Sequence, residues 1–144
     1  MKKIMLCLVA VAIATTGFSQ KEKKNITPNA AVKTAFEKSF KGAEKVKWEK
    51  EKDGGYEAGF KQNGKDMSAT YAADGTLKET EWKIEVSELP AAVLNYVSKN
   101  YKGKKIAEAA KILKAGGEIN YEAEVNGKDV IFDVNGKFIK ETQD

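Results

Sequence analysis

Residues 56–66 read YEAGFKQNGKD, and residues 121–129 read YEAEVNGKD. The two stretches share Tyr-Glu-Ala, a short alternating segment and then Asn-Gly-Lys-Asp. Alternation of apolar and polar residues around an Asn-Gly pair is typical of a β-hairpin, because Asn and Gly tolerate the positive φ angles of a tight turn. The sequence therefore predicts the same hairpin twice within one short chain.

The likeness between the two stretches extends along the rest of the chain. When Val32 is aligned with Val93, 61 positions later, further blocks match in the same order. The matching blocks are Phe40-Lys41-Gly42 with Tyr101-Lys102-Gly103, Asp74-Gly75 with Asn135-Gly136, and Lys78-Glu79-Thr80 with Lys140-Glu141-Thr142. Blocks that match in the same order at a period of just over 60 residues, with small gaps between them, indicate an internal repeat. We predict a first repeat over residues 20–86 and a second over residues 87–144, which together form one domain.

Each repeat is expected to contain one helix followed by four antiparallel strands. In the first helix, Thr27 is the predicted cap, Pro28 suits the first turn, and apolar residues follow at spacings of three and four. The second helix is expected to open at Leu89-Pro90. After each helix the apolar period becomes two, as in Trp82, Ile84 and Val86, which predicts half-buried strands.

The predicted fold class is α+β, a tandem repeat of a helix plus a four-stranded antiparallel meander with the helices on one face of the sheet. The sequence leaves open whether the two four-stranded sheets join into one long curved sheet.

The N-terminal residues 1–19 have the features of a secretory signal peptide. A basic start at Lys2 and Lys3 precedes an apolar run, Ile4–Ala14, that is too short to span a bilayer. We expect cleavage between Ser19 and Gln20, which would remove Cys7, the single cysteine. The mature chain is then expected to be periplasmic or secreted, with no thiol and no stable membrane anchor after cleavage.

Composition excludes several kinds of chemistry. The chain has no His, and all 25 of its basic residues are Lys, so it has no Arg. Catalytic triads with His, His-ligated metal sites, Cys nucleophiles in the mature chain and Arg clamps on phosphate are therefore excluded. Loss of Lys2 and Lys3 lowers the net charge from +4 to +2, which gives no support for a nucleic-acid partner. We predict no catalytic residue, no cofactor and no metal, and hence a protein that is not an enzyme.

These motifs together resemble a known family. The order of the motifs is similar to that of the PepSY-like, beta-lactamase-inhibitor-like family. The motifs are a helix ending in Phe-Lys-Gly, VKWE at residues 46–49, Tyr-Glu-Ala, an Asn-Gly turn, YAADGTL at residues 71–77 and Leu89-Pro90. The resemblance covers essentially the whole mature chain. It implies an exported, mostly periplasmic protein with two helix-plus-sheet repeats. Known inhibitors of that architecture hold a target against the concave sheet face, and the family supplies no catalytic residue to carry over.

Strand alternation predicts which side chains lie on the sheet face away from the helices. The second repeat should present an acidic face, whereas the first should be mixed in charge and the helices basic. As partner-binding residues we predict Glu122, Glu124 and Asp133, with Glu57 as the counterpart of Glu122 in the first repeat. Such a face suits docking of an envelope or secreted protein or peptide, but it is equally typical of a solvated sheet surface.

Two further interpretations remain open. Asp133, Asn135 and Glu141 offer oxygen ligands around a glycine turn, so the alternative function is a periplasmic protein that binds a small ligand or a cation such as calcium. A pair of carboxylates, Glu57 with Glu79 or Glu122 with Asp133, could act as acid and base, but such pairs work in a deep cleft. Trp48, Trp82 and Tyr71 are expected in the core rather than in a ligand cage.

Overall fold

The computed structural model describes residues 25–143, so the signal peptide predicted for residues 1–19 lies outside the described part of the chain. The secondary structure contains two α-helices and eight strands. In chain order these are α1 (Ala30–Ser39), β1 (Glu44–Lys50), β2 (Tyr56–Gln62), β3 (Lys65–Tyr71), β4 (Leu77–Ile84), a 3-10 helix (Val86–Glu88), α2 (Ala91–Asn100), β5 (Ile106–Lys114), β6 (Ile119–Val125), β7 (Lys128–Asp133) and β8 (Phe138–Gln143).

All eight strands form one antiparallel sheet in the order β1 to β8. The two halves of the chain meet where β4 pairs with β5, with Trp82 opposite Lys111 and Ile84 opposite Ala109. This confirms the α+β class and shows that the two predicted four-stranded sheets are continuous. No helix within residues 25–143 is long and apolar enough to cross a membrane.

Both helices lie on the same face of the sheet, each over its own half. Helix α1 contributes Val32 and Phe36 to a core with Trp48, Tyr71 and other buried residues of β1 to β3. Helix α2 contributes Val93 and Val97 to a second core with residues of β5 to β7, among them Phe132. Residues opposite each other on adjacent antiparallel strands lie on the same face of the sheet. The register therefore shows that the face covered by the helices is continuous from the first half of the chain to the second.

The start of α1 differs from the prediction. Asn29, not Thr27, is the cap: its side-chain oxygen accepts a hydrogen bond from Val32 N at 3.0 Å. The same side chain donates through Nδ2 to Ala73 O at 2.7 Å, which ties the helix start to the β3–β4 turn. Pro28 is buried just before the helix rather than in its first turn.

The Asn-Gly turns are present as predicted. Asn63 and Gly64 have φ angles of 51° and 77°, and Asn126 and Gly127 have φ angles of 56° and 76°. Two positive φ angles in succession define the hairpin turn that matches the twist of the flanking strands. The YEAGFKQNGKD and YEAEVNGKD segments therefore form the β2–β3 and β6–β7 hairpins.

The end of β4 also differs from the prediction. The strand stops at Ile84, and Val86 lies in the 3-10 helix rather than continuing the alternation. Glu85 N donates to Glu88 Oε2 at 2.7 Å, so a short capped turn redirects the chain toward α2. Trp82, predicted in the core, is half-buried on the helix face, where the Lys111 ammonium lies 5.8 Å from its ring centroid.

Candidate functional site

The sheet face away from the helices, called here the open face, is defined by the strand register. Two rows of opposed residues cross its centre. One runs from Ser68 through Glu81, Ile112 and Asn120 to Asp133, and the next from Ala110 through Glu122 to Ile131. The open face therefore brings side chains from both halves of the chain together at the β4–β5 junction.

Buried polar side chains concentrate on this face. Among the described residues, five polar or charged side chains are buried, and the register places all five on the open face: Ser68, Glu81, Asn120, Glu122 and Asp129. They alternate with the buried apolar residues Ala110, Ile112 and Ile131. We call these eight residues the floor. Half-buried Glu57, Thr70, Glu79, Glu124 and Asp133 surround the floor and form its rim.

Glu81 is the electrostatic centre of the floor. Its side chain is 6 % exposed, and among residues 25–143 it takes part in no hydrogen bond or ion pair. Burial raises its pKa well above the ordinary value, and the carboxylates of Glu122, Glu57 and Glu79 raise it further. Four acidic side chains from three strands thus act on one another across the middle of the sheet.

Three lysines of the open face pair with carboxylates. Lys114 bonds to Glu79, and Lys83 Nζ lies 3.2 Å from Glu108 Oε1. At the edge of the face, Lys61 Nζ lies 2.6 Å from Asp66 Oδ1. These three cations are held at the rim, while Lys47 and Lys140 lie exposed on the outer strands of the same face. The charged residues of the floor itself are Glu81, Glu122 and Asp129.

All four predicted partner-binding residues lie on the open face. Glu57 and Glu124 are on the rim, and Glu122 is on the floor, 4 % exposed. Glu57 lies opposite both Glu49 and Thr70, while Glu124 lies opposite Glu108 and Asp129. The structure brings Glu57 and Glu122 into one cluster with Glu81, since both act on its pKa.

Asp133 has a structural task besides its place on the rim. Its Oδ1 accepts hydrogen bonds from Asn135 N and Lys137 N, each at 2.9 Å, and so holds the β7–β8 turn. Glu141, by contrast, lies opposite Val130 on the helix face, where it accepts hydrogen bonds from Tyr101 OH and Lys128 Nζ. The oxygen ligands of the calcium hypothesis therefore point to opposite faces of the sheet.

No group of three or more acidic side chains within the described range is placed to hold a metal ion. The helix side carries a crevice of about 350 Å³ between α1 and β1, lined in part by Phe36, Phe40, Val46 and Trp48. Because aromatic and aliphatic side chains form much of its lining, this crevice is not a cleft built around paired carboxylates. The crevice therefore does not bring the predicted acidic residues together.

Four polar floor residues, Ser68, Glu81, Asn120 and Asp129, lie outside the set of partner-binding residues that the sequence predicts. Glu81 belongs to the first-repeat face that the sequence predicts to be mixed in charge, and Asn120 belongs to the second-repeat face that it predicts to be acidic. Their signal lay in the alternation of β4 and β6, which already placed both on the open face. What was not available from alternation was the β4–β5 pairing, which sets Glu81 beside the second half of the chain.

The family described as "Putative beta-lactamase-inhibitor-like, PepSY-like" matches residues 20–79 and 54–140. No curated protein matches the chain by sequence. Several solved structures, however, share its fold.

Three of these structures come from Bacteroides species. A protein from Bacteroides eggerthii, described as a "putative periplasmic" protein, has a TM-score of 0.70 at 18% identity, with 81% of this chain and 88% of that chain covered. A DUF2874 family protein from Bacteroides uniformis has a TM-score of 0.68 at 20% identity, covering 80% and 88%. A BLIP-like protein from Bacteroides fragilis has a TM-score of 0.59 at 22% identity, covering 81% and 86%. At these identities the likeness shows the fold, and the family match over most of the chain shows that this protein belongs to the PepSY-like, beta-lactamase-inhibitor-like family.

Proposed function

We propose that the chain is an exported, non-enzymatic binding protein that docks an envelope or secreted protein through its open face. The observation that carries this proposal is the floor. All five buried polar side chains of the described residues lie on the face that the helices leave uncovered. A purely solvated face would leave its charged groups in water, because burying a charged group costs free energy.

The open face also has the layout of a protein interface. Its buried centre combines three apolar side chains with five polar ones, and its rim is charged and partly accessible, as are the rims of many protein–protein contacts. The helix side, in contrast, carries exposed lysines, among them Lys33, Lys38, Lys99 and Lys102. The acidic face therefore favours a partner with a basic surface, while the helix side would repel it.

An envelope location supports this kind of partner. The structurally similar protein from Bacteroides eggerthii is described as "putative periplasmic", and residues 1–19 of this chain have the features of a signal peptide. We place the mature chain in the periplasm or outside the cell, where envelope and secreted proteins are the available partners. Inhibition or chaperoning of the docked protein is the finer form of this proposal.

We also infer that the two halves are copies of one ancestral unit. The C-caps Phe40 and Tyr101 both donate their N–H to a carbonyl four residues earlier, each at 2.8 Å. Gly42 and Gly103, which follow these caps, both have positive φ angles of 80° and 73°. Shared local geometry at aligned positions supports duplication, and it explains why acids from both halves meet on one face.

One property of the floor is also found in enzymes. A carboxyl group with a raised pKa beside other carboxylates can serve as a general acid. We favour binding because the family is described as "beta-lactamase-inhibitor-like" and the similar structure from Bacteroides fragilis as "BLIP-like", and neither description names a reaction. Hydrolysis of chromogenic glycosides that disappears in Glu81→Gln would favour an enzyme instead.

Affinity capture tests the docking proposal. The chain purified from the periplasm is immobilised and exposed to an envelope extract of the bacterium that encodes it, in parallel with a Glu57→Lys, Glu122→Lys, Glu124→Lys variant. A control reverses charge away from the open face at Glu37, which is exposed on α1. We expect the same protein to be retained by the parent and the control and lost from the open-face variant. Equal retention by all three would exclude the open face as the docking surface.

A further inference from the structure

The floor of the open face has a chemical preference that goes beyond general docking. Hydrogen-bond acceptors dominate its centre: the Glu81 carboxyl, its neighbour Glu122 and the side-chain amide of Asn120. Asn120 is 4 % exposed, and its Oδ1 has no hydrogen-bond partner. A buried acceptor without a donor costs free energy that a ligand carrying a donor can recover.

The unpartnered amide and the buried carboxyl belong to one row of the sheet. Ile112 on β5 lies opposite Glu81 on one side and opposite Asn120 on the other. Side chains two strands apart on one face are separated by roughly 10 Å at the backbone. A single cationic head group placed over Ile112 therefore lies between the carboxyl of Glu81 and the amide oxygen of Asn120.

The surroundings select both the charge and the shape of such a ligand. Burial and then the carboxylates of Glu122, Glu57 and Glu79 raise the pKa of Glu81, so acids from both halves of the chain act on this point of the floor. The cations nearest along the strands, Lys83 and Lys114, are bound to Glu108 and Glu79. Ala110, Ile112 and Ile131 supply the apolar part of the floor, beside the polar Ser68 and Asp129. A ligand that fits is apolar along its length and carries one cationic donor.

We infer that the floor receives one lysine or arginine side chain from an otherwise apolar segment of the docked protein, with Glu81 as its carboxylate acceptor and Asn120 as a second acceptor. This inference rests on the proposed docking function and names the chemistry of the segment that docks. A metal ion is a poorer occupant, because the described acids include no group of three or more that could hold one.

The test uses a short acetylated and amidated peptide with one central lysine in a background of Val, Leu and Thr. Its counterpart replaces that lysine with norleucine, which keeps the length and removes the ammonium group. Both are titrated into the chain purified from the periplasm, with fluorescence anisotropy as the readout. We expect the lysine peptide to bind at least about tenfold more tightly, a difference that one charge-assisted hydrogen bond can supply.

Variants then place the effect at the floor. Glu81→Gln and, separately, Asn120→Ala should each reduce the advantage of the lysine peptide, and Glu81→Gln should nearly abolish it. Glu37→Gln removes the same charge from the exposed side of α1 and should leave the advantage unchanged. Equal binding of the two peptides, no binding of the lysine peptide, or an equal loss in Glu37→Gln would each overturn the inference.

Other occupants give different results. Displacement of the lysine peptide by calcium alone would identify a cation site, and self-association lost in Glu81→Gln would identify a second copy of the chain. Either result would overturn the basic-segment inference. If the peptides fail while affinity capture still depends on the open face, the docking function stands and only this inference falls. If the lysine peptide binds as expected but no envelope protein is captured, the basic-side-chain site stands without the proposed partner.

Discussion

Burial of Glu81 and the carboxylate of Glu122 both raise the pKa of Glu81, although Glu122 lies two strands away and in the other half of the chain. The pairing of β4 with β5 makes this interaction possible, because it joins the two halves into one sheet with a common open face. The charge of that face is therefore a property of the joined sheet and not of either half alone.

Glu81 should destabilise the folded chain at neutral pH. Its pKa is raised above 4.5, so the native state holds a proton that the unfolded state releases, and the free energy of unfolding falls as pH rises through this interval. We expect Glu81→Gln to stabilise the protein at pH 7 by on the order of 1–3 kcal/mol, because glutamine fills the same buried position but cannot ionise there. Urea unfolding at acidic and neutral pH measures this.

The control for that prediction is Glu37→Gln, which removes a carboxylate from the exposed surface of α1. Its effect should be within about 0.5 kcal/mol. If Glu81→Gln destabilises the chain, or if its effect does not grow with pH, Glu81 is not a buried carboxyl group with a raised pKa.

Glu141 should act in the opposite direction at low pH. The hydrogen bond from Lys128 and then that from Tyr101 lower its pKa from 4.5, so the stability it contributes is present above 4.5 and is lost as pH falls through its folded pKa. We expect Glu141→Gln to flatten the loss of stability in acid. Thermal unfolding followed by circular dichroism across the acidic range measures the slope, and an unchanged slope would contradict the assignment.

Two glycines should differ in how they tolerate alanine. Gly127 has a φ of +76° with open space around it, so Gly127→Ala should cost only the backbone penalty of about 1–2 kcal/mol. At Gly136, φ is +80° and an added Cβ would lie 2.7 Å from the Cβ of Ala92. Gly136→Ala should therefore cost roughly 1–3 kcal/mol more, because overpacking against α2 is added. Equal losses in urea unfolding would show that the β7–β8 turn does not pack closely on α2.

The cap of α1 gives a direct comparison between sequence and structure. Asn29→Ala removes the bonds to Val32 N and Ala73 O and should cost about 1–2 kcal/mol. Thr27→Ala, at the cap position that sequence favoured, should stay within about 0.5 kcal/mol. The reverse order in chemical denaturation would restore Thr27 as the cap.

Much of the fold could be predicted because local patterns determine it. Alternation and the Asn-Gly pairs predicted the strands and hairpins, and the positive φ angles of Asn63 and Asn126 confirm those turns. The predicted cap of α1 and the predicted end of β4 were wrong, because hydrogen bonds beyond the local apolar pattern determine both. Asn29 is chosen over Thr27 in part because it also reaches Ala73, and Val86 leaves the strand because Glu88 caps a turn at Glu85.

The sequence predicted which face of the sheet carries the candidate site, but it did not predict that Glu81 lies at the centre of that site. Glu57, Glu122, Glu124 and Asp133 could be placed on the open face from alternation alone. The neighbours of Glu81 depend on which strands pair, and no periodicity shows that β4 lies beside β5. Likewise, only the three-dimensional register shows that Asp133 and Glu141 lie on opposite faces, so the calcium hypothesis could not be judged from spacing.

The central claim is that a partner docks on the open face, and carboxyl footprinting tests it most directly. The chain is labelled with carbodiimide and glycine amide, with and without the captured partner, and each labelled carboxyl group is quantified by mass spectrometry. We predict that the partner protects the rim carboxylates Glu57, Glu79 and Glu124, while the exposed carboxylates Glu37 and Glu88 react as before. Protection of the second set with continued labelling of the first would contradict docking on the open face.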